Sequence, residues 1–196
     1  MVGIGAHVTR NTFGRARGTQ MALFDGLFGR RKAALDSVPS PPPDPQQVYS
    51  DLRSQALRWT PDMVGVPDAS DAVFGVLIDW TAPSGMTFTT VSMADGTTSA
   101  YTTTGAGVIG VGATPAVAAA SKRLVAAAES MRAAFRPEWQ DGPLSEEQIR
   151  LIVLTRGGPL AAVAGLEELG SGGNPLSGVF FLANEVFTQI RKATTQ

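Results

Sequence analysis

The chain has 196 residues, of which 43% are apolar and 17% charged, and its net charge is −1. That is enough apolar material for one packed domain plus a tail, so global disorder is excluded. A charge near zero excludes a general attraction to nucleic acid, and the lack of any cysteine removes disulfides, thiolate metal sites and cysteine nucleophiles together.

The charge is uneven along the chain. Residues 1–47 hold six basic and three acidic groups, and the remainder holds ten basic and fourteen acidic ones. Residues 1–20 show no hydrophobic period and are expected to be a disordered leader, with Met21 an alternative start to Met1. No apolar run reaches the roughly 18–20 residues that span a bilayer. The N-terminus also lacks a continuous apolar stretch of about 7–15 residues, so it does not read as a secretion signal. The expectation is a cytoplasmic protein without a transmembrane segment.

Residues 21–43 read as a short amphipathic segment followed by a linker. Leu23, Phe24, Leu27 and Phe28 would share a helical face, and Arg30, Arg31 and Lys32 follow at once. This combination suits a groove on a partner or a peripheral contact with an anionic membrane. Pro39 to Pro45 holds five prolines in seven residues, an extended linker that marks the edge of the domain at residue 44.

The globular domain is expected over residues 44–196. Asp44 can cap a helix with Pro45 at its first position, running to about Trp59. Val48, Leu52, Gln55 and Trp59 are expected to line its inner side, with Tyr49 and Ala56 beside them. Val73–Thr81 is apolar on both faces and reads as a central strand. Met86–Ala94 is the next strand, Asp95-Gly96 a hairpin turn, and Thr97–Thr104 a threonine-rich strand toward an edge or a solvated face. Thr114-Pro115 opens a long helix with an apolar stripe from Val117 to Phe135. Gln148–Thr155 and Leu160–Leu166 read as strands around a Gly157-Gly158 turn. Asn174-Pro175 opens a last helix that runs to about Lys192. The order α-βββ-α-ββ-α predicts an α+β fold: a largely antiparallel five-stranded sheet with packed helices, in a profilin-like or roadblock/longin-like layout.

Three places could carry function. Gly105-x-Gly107-x-x-Gly110 follows a strand and precedes a helix, which is the bare spacing of a dinucleotide-binding loop. Its context departs from that motif. The helix signal lies four residues beyond Gly110, the preceding strand is polar, and no acid ends a following strand. Its bland role is to permit a tight bend and a close helix approach. A functional alternative places an anion at the helix N-terminus, using Gly105, Gly107, Gly110, Gly112 and Thr114. The amphipathic leader is the second place. The third is the last helix, where Phe181 and Leu182 widen the apolar stripe beyond what one packed face needs, as an interface would.

Catalysis is poorly supplied. The only histidine is His7, so residues 44–196 contain neither histidine nor cysteine. A Ser-His-acid triad, a Cys-His pair and an ordinary zinc site are all out of reach within that range. Of the carboxylates, Asp79 reads as a strand-end residue facing solvent or bonding a loop, and no spacing brings two aspartates together. No catalytic residue, metal ligand or cofactor is predicted.

Ala94-Asp-Gly-Thr-Thr-Ser-Ala-Tyr101, followed by the glycines that end in Val108-Ile-Gly-Val-Gly112, resembles a block in uncharacterised bacterial proteins. Those proteins pair a D-G-T hairpin with an aromatic strand and a glycine-rich segment. The resemblance runs loosely over residues 70–192 and implies no activity. Taken together, the residues predict a non-enzymatic interaction module, a homodimer or partner scaffold. The alternative is a small-ligand or anion sensor built on the glycine segment.

Overall fold

The computed structural model describes residues 42–66 and 71–195, so the expectations for residues 1–41, including the linker prolines Pro39 and Pro41, lie outside the described part. Within it, helix α1 (Pro45–Leu57) starts as its sequence requires. Asp44 takes an extended conformation, its carboxylate accepts from the Gln46 N–H at 3.1 Å, and Pro45 needs no partner for a missing N–H.

The sheet has six strands, all antiparallel to their neighbours: β1 (Gly75–Thr81), β2 (Thr87–Met93), β3 (Thr98–Thr102), β4 (Gly107–Val108), β5 (Gln148–Thr155) and β6 (Gly158–Gly165). Their order in space is β4-β3-β2-β1-β5-β6. The expected count of five is corrected by β4, a two-residue strand inside the glycine segment that pairs Gly107 with Tyr101 and Val108 with Ala100. Glycine there reads as a bend. It is needed because a Cβ on Gly107 would lie 2.7 Å from the Ala100 carbonyl oxygen. β3 is also less solvated than its threonines suggest. Thr98 and Thr102 are buried, and their hydroxyls bond Ser121 and the Ala106 carbonyl.

Helices α2 (Pro115–Ser130), α3 (Leu166–Gly170) and α4 (Ser177–Thr194) are the other α-helices among the described residues. α2 is shorter than its apolar stripe. Phe135 still reaches the core, carried there by a short 3₁₀ turn over Arg132–Ala134. α4 begins two residues after Asn174-Pro175, because Asn174 closes a turn by accepting from the Leu176 N–H.

Two cores lie on opposite faces of the sheet. On one face Val76, Ile78, Ile149, Leu151 and Val153 pack against Val117, Leu124 and Ala128 of α2 and Val179, Val186 and Ile190 of α4. On the other Leu77, Val91, Met93, Ile152 and Leu154 pack against Ala56, Leu52 and Tyr49 of α1. The alternation within each strand fixes this division. The rotation of α1 differs from expectation. Gln55 is exposed and Arg53 is buried, so the inner side runs through Tyr49, Leu52, Arg53 and Ala56. None of the described helices is long and apolar enough to cross a membrane.

The close-approach role of the glycines has a concrete form. Gly96, at φ +95°, forms the tip of the β2–β3 hairpin, and a Cβ there would lie 2.8 Å from the Ala118 Cβ of α2. A Cβ on Gly112 would collide with the Gly96 carbonyl. Two glycines thus let hairpin, loop and helix meet.

Candidate functional site

The most organised polar cluster lies under α1, where the apolar packing of that face gives way to charge. Three residues of one face of the sheet begin it. Asp79 in β1 stands beside Thr89 of β2 and Arg150 of β5, in register on either side. Arg53 descends from α1 onto them. Asp79 is 1% exposed, Arg150 6% and Arg53 8%. The expectation that Asp79 faces solvent at a strand end is therefore corrected. It lies inside the protein, because the strands on both sides continue past it and α1 covers it.

The geometry is that of a clamped carboxylate. Arg53 donates side-on to Asp79, through Nε to both oxygens at 3.1 and 3.2 Å and through one terminal nitrogen at 2.7 Å. Its other terminal nitrogen donates to Asp141 at 2.8 Å. Arg150 stands 3.6 Å from Asp79 and 3.4 Å from Asp141, and donates to the Gly142 carbonyl at 2.6 Å. Two carboxylates thus share two guanidiniums, although no spacing in the sequence brings them together. The bidentate fork of arginine suits such a pair better than lysine would.

A hydroxyl relay completes the cluster. The Thr89 hydroxyl donates to Asp79 at 2.7 Å, and the Tyr49 hydroxyl lies 2.8 Å from Thr89. Threonine has one hydroxyl hydrogen, so with that hydrogen on Asp79 the Tyr49 hydroxyl must donate. The Tyr101 ring meets Tyr49 edge-on with centroids 5.7 Å apart. The Tyr101 hydroxyl is buried without a hydrogen-bond partner among the described residues, and so is Nε of Arg150.

The charges respond to this setting. Burial opposes the charge on Arg53, but the hydrogen bond and charge of Asp79, then those of Asp141, outweigh it and hold the guanidinium above its ordinary value. Burial, and next the negative charge of Asp79, push both phenols above the usual tyrosine range. Each would have to become an anion in a site that already holds two carboxylates.

A cavity of about 250 Å³ opens beside the cluster, lined by Tyr49, Arg53, Asp79, Asp141 and Arg150 among others. The segment bearing Asp141 to Leu144 forms part of its wall. Asp141 itself is 49% exposed at its side chain, in a stretch with neither helix nor strand.

The residues singled out from sequence fall elsewhere. Leu23, Phe24, Leu27, Phe28, Arg30, Arg31 and Lys32 lie outside the described residues. Gly105 and Gly110 adopt positive φ at turns, and Gly107 sits in β4. The N–H groups of Ala113 and Thr114 donate to the Gly110 and Val111 carbonyls, and Thr114 caps α2 without a side-chain hydrogen bond. Phe181 is 50% exposed on α4, whereas Leu182 is half-buried against the core. Of the residues weighed for chemistry in the sequence, Asp79 is the one that belongs to the cluster.

The signal that could have found the cluster is a single charge in each of two otherwise apolar strands. Asp79 interrupts Gly75–Trp80, and Arg150 interrupts Ile149–Leu154. A charge buried in a central strand demands an opposite partner. No family model matches the chain, and no curated protein and no solved structure matches it either.

Proposed function

We propose that this chain is a non-enzymatic protein-interaction module, a homodimer or partner scaffold. In this reading it has the general profilin-like or roadblock/longin-like layout and a cytoplasmic location. The observation that carries the reading is how the cluster under α1 uses its groups. Asp79 spends its oxygens on Arg53 and Thr89, and the charges of two arginines balance those of two aspartates. Such a cluster pins α1 to the sheet through the buried Arg53–Asp79 pair. The carboxylate beside the Thr89 hydroxyl is paired with Arg53, which weakens it as a general base.

A pinned scaffold acts through its surface. Phe181 is held half-exposed on α4, while Val179, Phe180, Ala183 and Val186 of the same helix are buried. Light scattering on the purified chain, with a Phe181→Asp variant beside it, tests the reading. Association that weakens at least tenfold in the variant supports it. A strictly monomeric protein at high concentration, with no partner retained on an affinity column, sinks it.

A further inference from the structure

We propose that the cavity between Arg53 and Arg150 is a carboxylate-binding site, and that its resident occupant, the carboxylate of Asp141, gives way to one from a ligand. The proposal is independent of the interaction-module reading.

The two aspartates of the cluster are held differently. Asp79 is fixed by its strand, buried, and bound side-on by Arg53, with the Thr89 hydroxyl also donating to its Oδ1. Asp141 is half-exposed, sits in a segment without regular structure, and takes one terminal nitrogen of Arg53. Its contact with Arg150 is long, at 3.4 Å, against the 2.7–2.9 Å of a strong charge-assisted bond.

Arg150 supplies the second observation. Its side chain is buried at the edge of the cavity, with the guanidinium 5.8 Å from the Trp139 ring. Its Nε has no hydrogen-bond partner among the described residues. A buried charged donor left so is costly unless a ligand uses it. Asp79 alone balances one of the two arginines, so once Asp141 swings out the site carries one net positive charge.

The ligand class follows from the group being replaced. A planar monoanionic carboxylate matches the arginine forks, and Tyr49, Ser50 and Ser54 at the cavity wall suit a short polar body behind it. A volume of about 250 Å³ accommodates a small acid of a few heavy atoms. The same chemistry is offered by a free small acid and by the C-terminal carboxylate of a peptide. An internal competitor lowers apparent affinity by the fraction of time that the site stands open.

The experiment follows the Nε–Hε signal of Arg150 by NMR while succinate is titrated into the full-length protein at constant ionic strength. Triglycine and its amide are run in parallel. A saturable shift in the wild type is expected, about tenfold tighter in Asp141→Asn and lost in Arg150→Gln. Tighter binding of triglycine than of its amide or succinate assigns the site to peptide termini; the reverse assigns it to free acids. Inorganic phosphate bound better than any carboxylate overturns the ligand class. No saturable shift in the wild type overturns the proposal, because Asp141 is then a fixed strut. Should Arg150→Gln not fold, thermal shifts of the wild type and Asp141→Asn decide. Succinate must stabilise both, and Asp141→Asn at lower concentration, or the proposal fails.

Discussion

The face of the sheet under α2 and α4 holds its buried polar groups as neutral hydroxyls, whereas the face under α1 sets ions among them. On the first, Ser121, Thr98 and Ser92 bond one another at 2.6 and 3.2 Å among aliphatic side chains. On the second, Asp79, Arg53 and Arg150 sit at one end and Leu77, Met93 and Leu154 at the other. Among the described residues, α2 and α4 cover the first face and α1 covers the second. The difference shows how a lone helix is held in place. Apolar burial is non-directional and leaves such a helix free to rotate, while a side-on guanidinium–carboxylate pair fixes its rotation.

The largest way to break this comparison is to remove the central ion. Asp79→Ala should lower stability by about 3–5 kcal/mol in urea unfolding, since two buried guanidiniums lose their shared partner. A loss under about 1 kcal/mol would show that water already screens the cluster. On the opposite face Leu124→Ala should cost about 2–5 kcal/mol through a cavity between α2 and the sheet. Its effect should not change with salt. Gly112→Ala should cost about 1–3 kcal/mol, because the new methyl meets the Gly96 carbonyl of the β2–β3 hairpin.

The smallest effects sharpen the comparison most. Tyr101→Phe removes a buried hydroxyl that has no hydrogen-bond partner among the described residues, so stability should stay level or rise by up to about 1 kcal/mol. A clear loss would mean that the hydroxyl has a solvent partner. Tyr49 and Tyr101 are the only two tyrosines of the chain, so ultraviolet titration reports on this cluster alone. Both folded phenols titrate above the ordinary value of about 10. Their contribution to stability is fully present below that pH and declines as pH rises toward the folded values. Tyrosinate should therefore appear late and together with unfolding. Ordinary ionisation near pH ~10 in the folded protein would show that the phenols are solvated.

Much of the fold is legible in the sequence, for local reasons. Asp44-Pro45 and Asp95-Gly96 mark their helix start and turn through backbone chemistry that needs no tertiary context. Gln148–Thr155 announces itself by an apolar and β-branched run from Ile149 that only Arg150 interrupts. The misplaced features all depend on distant partners. The burial of Arg53 is decided by the register that brings Asp79 beneath it, 26 residues later. β4 forms because Tyr101 offers an edge, not because Gly107 favours a strand. Asp141 lies in a connection with no pattern, and only the folded sheet brings Arg150 to it. Apolar periodicity records which face is inward but does not say which polar residue is admitted there.

The position of β5 between β1 and β6 has a kinetic consequence. Strands β1 to β4 form a meander of near neighbours, and β5 with β6 forms a hairpin. Yet Gly75 pairs with Leu154, across about two fifths of the chain. The loop between them closes at an entropic cost that local pairs avoid, so the β1–β5 seam is expected to zip after both units have formed. Substitutions at Asp79 and Arg150, which face each other across that seam, should then speed unfolding and leave the refolding rate nearly unchanged. The ions under α1 would thus act as a fastener that closes last and resists opening.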